Sequence, residues 1–262
     1  MLRWQKDGIS LFTIKYYLYF CDMKHICIAI GLCLLLGLCS CHHPSSSDLL
    51  DKIDSLTYTC PTKALEKLDS IEVSSGMLNE DDGVRCMMLR VKAKFKNYQS
   101  IRNDSQMVQV AEHYNKKGTA NQRMNAYYLL GNYYAQRGDA PRALESFLKA
   151  VEYADTIKEA HSLMLIHGMM QDLYENLYLY DEARKEMERA VYYAMRCKDT
   201  ISALIYKGNI PWYYAMTNQY DSADIAAQRL YREWQKTNCG KGNSMVLSYS
   251  IKALLNKRKW SK

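Results

Sequence analysis

The second half of the sequence repeats itself with a step of forty residues. Alanines recur at Ala143, Ala183 and Ala223. Tyrosines recur with the same step, at Tyr134, Tyr174 and Tyr214. A repeated unit of this size cannot bury its apolar face alone and must stack on its neighbours. The step therefore predicts an array of stacked units rather than one closed core.

Each unit is predicted to be a pair of helices. In residues 126–154 one apolar face has helical spacing and consists of Tyr127, Leu130, Gly131 and Tyr134. Gly138 and Asp139 would turn the chain, and Pro141 would open the second helix, where its missing N–H costs nothing. The second helix has small residues on either side of an aromatic one, in the order Ala143, Phe147, Ala150. Small alanines let two antiparallel helices approach closely while Phe147 fills the space between them.

Composition favours helix along the rest of the chain. Glycine (12 residues) and proline (4 residues) are sparse, and no long segment alternates apolar and polar residues as an exposed strand does. We predict an all-α fold, an α-solenoid of antiparallel helix pairs with a step of about forty residues. Pro211 takes the position of Gly131 inside a helical pattern, which predicts a kink or a break there.

The order Leu-Gly-x-x-Tyr, Ala-x-x-x-Phe and a further Ala in residues 130–150 resembles the tetratricopeptide repeat (TPR) family. The usual TPR step is about 34 residues, and the longer step here adds roughly one turn to each helix. The resemblance implies a binding scaffold with no enzymatic activity and no cofactor. It also implies a concave face, formed by the first helix of each pair, that grips a peptide. The candidate peptide-binding groove comprises Asn125, Tyr128, Asn132, Gln136, Asp172, Glu175, Asn176, Trp212 and Met216.

A hydrophobic run near the amino terminus predicts export from the cytoplasm. Lys24 and His25 precede an uncharged run over 26–38, which is too short for the ~20 residues that span a bilayer and suits a secretory signal. The run ends in Leu38-Cys39-Ser40-Cys41, which resembles the lipobox of bacterial lipoproteins. That resemblance implies cleavage before Cys41 and lipidation of its thiol. An uncleaved anchor and an ordinary signal are the alternatives.

These features divide the chain into five segments. Residues 1–40 are a leader and signal peptide, with Met23 as an alternative start, and 41–48 are a polar tether. Residues 49–118 are degenerate helical repeats, and 119–237 are three TPR-like repeats. Residues 238–262 are the C-terminal helix of an incomplete repeat.

Several chemistries are not indicated by the sequence. It contains no Gly-rich phosphate loop, His-Glu-x-x-His motif or nucleophile elbow, and we predict neither an enzyme nor a metal site. Lys and Arg (35) exceed Asp and Glu (28) only slightly and are interspersed with them, so no nucleic-acid surface is expected. Beyond Cys41 the cysteines are Cys60, Cys86, Cys197 and Cys239, which an exported protein could pair or keep as buried thiols.

The function predicted from these features is a lipid-anchored scaffold of the cell envelope, at the outer membrane. Its partners would be other proteins or peptides, and the lipid at Cys41 would hold it on the membrane. The resemblance is to TPR lipoproteins of Gram-negative, Bacteroidetes-type bacteria. Two alternatives stay open, a nutrient- or glycan-binding outer-membrane lipoprotein and a TPR subunit of an outer-membrane assembly machine. Binding of soluble oligosaccharides would favour the first, and co-purification with assembly subunits the second.

Overall fold

A computed structural model of the chain describes residues 46–73, 78–155 and 158–236. The predicted signal, Cys41 and the predicted helix in 238–262 lie outside these residues. The described residues form ten α-helices and no strand. They are α1 Ser46–Thr59, α2 Pro61–Val73, α3 Glu80–Lys96, α4 Gln106–Lys117, α5 Ala120–Gln136, α6 Ala140–Tyr153, α7 Ala160–Asn176, α8 Tyr180–Arg196, α9 Thr200–Met216 and α10 Tyr220–Lys236.

Consecutive helices pack against one another in antiparallel pairs, as predicted. The odd-numbered helices α1, α3 and α5 each also contact the next odd-numbered helix. Helix α7 packs mainly on α8 and reaches α9 through a side-chain hydrogen bond from Gln171 to Tyr213. The odd-numbered helices therefore line one face of the array, which we call the inner face, and the even-numbered helices cover the other. This is the stacked arrangement of an α-solenoid, so the predicted fold class is confirmed.

The forty-residue step reaches further upstream than the sequence pattern indicates. Four inner helices begin at 80, 120, 160 and 200, each one residue after a helix cap. Three of the caps, Asn79, Thr119 and Asp199, accept a hydrogen bond from the backbone N–H three residues on. Such caps satisfy amides that would otherwise have no partner at the start of the helix. The α3–α4 pair thus belongs to the regular array, although its apolar signature is degenerate.

The core positions predicted from the repeat are buried. Ala143 and Ala183 are fully buried and Ala223 is 4 % exposed, as expected for small residues between paired helices. Gly131 lies against the ring of Phe147, so closely that a Cβ added at residue 131 would come within 2.5 Å of Phe147 Cε1. Because residue 131 has no side chain, the Phe147 ring fits between α5 and α6, and the two helices can pack closely.

Two local expectations differ from the structure. The first helix begins at Ser46, inside the predicted tether of 41–48, and the Ser46 hydroxyl donates a hydrogen bond to Asp82 at the start of α3. Of the kink or break predicted at Pro211, the break does not occur, since α9 is one helix from Thr200 to Met216. Pro211 leaves the carbonyl of residue 207 without its helical donor, but Tyr206 and Tyr213 pack against α8 on either side and hold the helix together.

Neither a membrane span nor a metal site is found in the part of the chain that the structure describes. No helix there is long and apolar enough to cross a bilayer, and no cluster of His, Cys, Asp and Glu could hold a metal ion. No disulfide joins the three cysteines within the described ranges, Cys60, Cys86 and Cys197, and Cys86 is buried.

Candidate functional site

Equivalent residues of neighbouring helices align across the inner face because the inner helices share one step. One row crosses α3, α5, α7 and α9 through Lys92, Asn132, Asp172 and Trp212. The row one turn further along contains Lys96, Gln136, Asn176 and Met216. Packed helices lie about 8–10 Å apart, so such a row runs across the array rather than along one helix. Most of the predicted groove residues belong to these two rows.

Aromatic side chains form the walls of the inner face between α3 and α7. The rings of Phe95 and Tyr128 meet edge to face, with their centroids 6.1 Å apart. Burial raises the pKa of Tyr128 to about 12, so its phenol stays protonated at neutral pH. Beside these rings lies an open cavity of ≈ 620 Å³ whose far wall includes Leu165 and Met169 of α7. The cavity offers apolar and aromatic surface to a ligand.

The α1–α3 end of the inner face is basic. Lys92 Nζ lies 2.6 Å from Asp54 Oδ1 and 4.2 Å from the centre of the Tyr58 ring, so its charge is balanced within the fold. Lys96 Nζ lies 5.5 Å from the centre of the same ring. Burial, and then the nearby charge of Lys92, lower the pKa of Lys96 below its usual value. The fold therefore holds this ammonium group in a partly desolvated position.

The α7–α9 end of the inner face is acidic. The Gln171 amide nitrogen donates to Glu175 Oε2 at 2.7 Å and also to the Tyr213 hydroxyl. Tyr213 in turn donates to Glu175, and burial followed by this bond raises the pKa of the phenol. Burial and the charge of Glu175 raise the pKa of Asp172 to about 6. The inner face thus changes from basic to acidic between α3 and α7.

Replacing Asp172 by asparagine is expected to stabilise the fold at pH 7. The folded pKa of about 6 lies above the ordinary value of 3.8, so the ionised carboxylate opposes folding. Neighbouring side chains crowd the carboxyl group, but the residue as a whole remains exposed to solvent, which screens most of this effect, so the gain should be only about 1 kcal/mol. The gain should be complete above pH 6 and vanish as pH falls to the ordinary carboxyl pKa. Melting curves of both proteins from pH 4 to pH 8 measure it, and equal midpoints at pH 7 would contradict it.

The structure assigns different surroundings to the groove residues predicted on α5. Tyr128 and Gln136 line the large cavity, and Asn125 lines a narrower cavity beside it. Asn132 is buried and donates to the Tyr128 carbonyl oxygen at 2.8 Å. The Gln136 side-chain oxygen accepts from the Ile101 N–H at 2.7 Å, which ties α5 to the α3–α4 turn. Asn132 and Gln136 are thus engaged in local structure.

The groove residues predicted on α7 and α9 also divide into two sets. Asp172 and Glu175 lie together in the acidic region, and Asn176 is exposed one turn away from Asp172. Met216 is exposed at the end of α9. Trp212, however, packs edge to face on Tyr180 of α8, with ring centroids 5.4 Å apart, and so contributes to the contact between helices.

Sequence reasoning did not identify the part of the inner face contributed by α1 and α3. Tyr58 lines the narrower cavity, and Phe95, Lys96 and Leu165 line both cavities. Their helices lack the Leu-Gly-x-x-Tyr signature that identified the later repeats. The signal that extends the register to α3 is the series of cap positions at 79, 119, 159 and 199, which requires knowing where each helix begins.

A third cavity, of ≈ 390 Å³, lies between α8, α9 and α10. Its lining includes Val191, Ile210, Ile225 and Leu230. Lys207 crosses it to Glu233, at 2.5 Å between Nζ and Oε2, so the fold itself balances these two charges. It offers a partner less uncompensated charge than the inner face and serves as a comparison site.

Comparison with known proteins agrees with the helical-repeat architecture. No protein-family model and no curated protein matches the sequence. Among solved structures, the nearly identical TPR-like repeats of a kinesin light chain-type protein of Podosopora anserina align with a TM-score of 0.57 at 17 % identity, covering 76 % of this chain and 100 % of that one. BtubC (BKLC) of P. vanneervenii aligns with a TM-score of 0.51 at 15 % identity, covering 82 % of this chain and 84 % of that one. The chain therefore has the fold of TPR-like helical-repeat proteins.

Proposed function

We propose that this chain is an interaction scaffold that binds a peptide segment of another protein on its inner face. The observation that carries the proposal is the open cavity of ≈ 620 Å³ beside Phe95 and Tyr128, which the packing of the helices leaves unfilled. Concave sites with apolar walls and a few placed polar groups are typical binding sites. The proposed role is binding rather than catalysis.

The proposal includes the cell envelope as the place of action. Its support is the sequence alone, in the uncharged run over 26–38 and the Leu38-Cys39-Ser40-Cys41 box that comes after it. Lipid on Cys41 would tether the solenoid to the outer membrane. A partner would then be met at the membrane surface.

The lipid anchor predicts a specific effect of the substitution Cys41→Ala. The cysteine thiol is the proposed acylation site, so the variant should carry no fatty acid and should accumulate as unprocessed precursor or as released protein. Metabolic labelling with a fatty-acid probe in a Gram-negative bacterium that expresses the chain measures this. Cys39→Ala is the matched control and should be labelled normally. Labelling of Cys41→Ala at the level of the control would exclude this residue as the anchor.

Photo-crosslinking in intact cells tests the binding function. In one variant of the chain a photoreactive amino acid replaces Met169 in the cavity wall. In a second variant it replaces Leu148, which is 54 % exposed on α6. Proteins captured through residue 169 and absent from the residue 148 sample are the expected result. If outer-membrane assembly subunits are among the captured proteins, the chain would instead be a TPR subunit of an outer-membrane assembly machine. Equal capture at both residues would argue against a site on the inner face.

A further inference from the structure

The cavity at the α3–α4 turn has a composition that points to one ligand chemistry. We call it the α3–α4 pocket and define it by Phe95, Lys96, Tyr98, Arg102, Tyr128 and Met169. Its volume is ≈ 620 Å³, and its described lining contains cations, aromatic rings and apolar side chains but no Asp or Glu. An inference about the ligand of this pocket rests on the proposed peptide-binding function, and it specifies which kind of peptide would bind.

The cations of the α3–α4 pocket differ from their neighbours in having no carboxylate beside them. Lys92 and Lys94 lie on the same helix and form ion pairs with Asp54 at 2.6 Å and Asp104 at 2.7 Å. Within the described part of the chain, neither Lys96 nor Arg102 has a carboxylate oxygen within ion-pair distance. Lys96 is also partly desolvated, which makes an approaching anion more favourable there than at a fully hydrated lysine.

The exposed ring of Tyr98 is the second feature of the α3–α4 pocket that favours a ligand. Its φ is 55°, in the left-handed region that non-glycine residues avoid, and its side chain is fully exposed. The equivalent turn forty residues later uses Gly138, with φ 77°, which adopts this conformation at low cost. Tyr178 is also left-handed, with φ 61°, but its ring packs edge to face on Tyr180. Lys198 and Asn218 share this backbone conformation, each with φ 60°, so it belongs to the turns that end the helices of the array. What distinguishes Tyr98 is a fully exposed ring that lines the same cavity as two cations without a carboxylate partner, a position that suits contact with a ligand.

We infer that the α3–α4 pocket binds a peptide carboxylate, from an aspartate or glutamate side chain, that stands next to an apolar side chain. The carboxylate accepts charge-assisted hydrogen bonds from Lys96 Nζ and the Arg102 guanidinium group. The neighbouring apolar side chain rests on Phe95, Tyr128 and Met169. Tyr98 closes the site from the solvent side. The acidic region around Asp172 and Glu175 repels a second carboxylate and so orients the bound segment along the inner face.

Selection from a library of random 12-residue peptides displayed on phage tests this inference with the full chain. The recovered sequences should contain an Asp or Glu next to an apolar residue. A synthetic peptide of the consensus and its twin, with the acid changed to the amide, are then titrated. The twin should bind about tenfold or more weakly, the loss expected when a charged hydrogen-bond partner becomes neutral. Affinity for the acidic peptide should fall as salt is raised.

Variants of the chain locate the contact. Lys96→Gln and Arg102→Gln should each weaken the acidic peptide about tenfold and leave the amide twin unchanged. Lys149→Gln is the matched control, since Lys149 pairs with Glu145 at 2.8 Å on α6, and it should bind like the parent protein. Tyr98→Gly should raise the melting temperature, because it removes the strain, and should still weaken binding. This combination would not arise if Tyr98 had a purely structural role.

The contrary outcomes are distinct from one another. Peptides that bind the cavity without any preference for an acid would overturn this inference and leave the proposed function standing. The inference is also overturned if Lys96→Gln and Arg102→Gln bind the acidic peptide like the parent protein. Failure to recover any peptide would contradict the proposed function and this inference with it. Binding of anionic lipid vesicles through Lys96 and Arg102, with no peptide selected, would replace the peptide by a membrane surface.

Discussion

Phe147→Ala is expected to lower the free energy of unfolding by about 3–5 kcal/mol, the usual cost of removing a buried aromatic side chain. Phe147 is fully buried in the largest core cluster and lies between α5 and α6, where its ring faces Tyr128 at 6.2 Å between centroids. The packing around it is fixed by two long helices, so the cavity can collapse only in part. Denaturant unfolding of the described solenoid measures the loss.

The close approach of Gly131 to Phe147 allows a stricter version of this experiment. In the parent protein Gly131→Ala should destabilise by about 1–3 kcal/mol, because the new methyl group overlaps the ring. In the Phe147→Ala background the same change should be neutral or stabilising, since alanine favours helix over glycine by about 1 kcal/mol. The two substitutions should therefore be strongly coupled. Additive effects would mean that residue 131 does not face residue 147.

Glu186→Ala is expected to destabilise the protein by about 1–3 kcal/mol, because it leaves a buried imidazole nitrogen of His167 without its hydrogen-bond partner. Glu186 Oε2 lies 2.6 Å from His167 Nδ1, and both side chains are nearly inaccessible, at 6 % and 5 %. The Tyr193 ring stacks on the imidazole with centroids 5.4 Å apart, so His167 cannot turn towards water. Without the carboxylate, the imidazole nitrogen stays buried and loses its partner.

Glu188→Ala is the matched control for this prediction. Glu188 lies on the same helix and pairs with Arg184 at 2.7 Å, but its side chain is 44 % exposed. Exposed pairs of this kind contribute less than about 1 kcal/mol. Glu186→Gln keeps an acceptor near His167 and should fall between the two. If Glu186→Ala and Glu188→Ala unfold at the same denaturant concentration, the His167–Glu186 pair does not stabilise the fold.

The architecture could be predicted from the sequence because the residues that pack the helix pairs are the same residues that recur with the forty-residue step. Ala143, Phe147 and the glycine at 131 are local in sequence, and each constrains one helix pair. Pro211 shows the limit of such local rules. A proline lowers the stability of a helix interior, but burial of Tyr206 and Tyr213 against α8 outweighs one missing hydrogen bond.

The site was less predictable than the fold because it depends on how neighbouring repeats share polar groups. Asn132 and Gln136 lie where the TPR resemblance places ligand contacts, yet one bonds to the carbonyl of Tyr128 and the other holds the α3–α4 turn. Nothing in the order of residues shows that Lys92 and Lys94 are neutralised while Lys96 is not. That difference arises from Asp54 and Asp104, which lie on other segments.

Hydrogen exchange measured by mass spectrometry, with a selected peptide added to saturation, tests the central claim most directly. If the inner face is the binding surface, exchange should slow in α3, α5 and α7 and in the turn that contains Tyr98, while α4, α6 and α8 exchange as before. Protection confined to α4, α6 and α8, or to the cavity between α8, α9 and α10, would place the ligand elsewhere and contradict binding on the inner face.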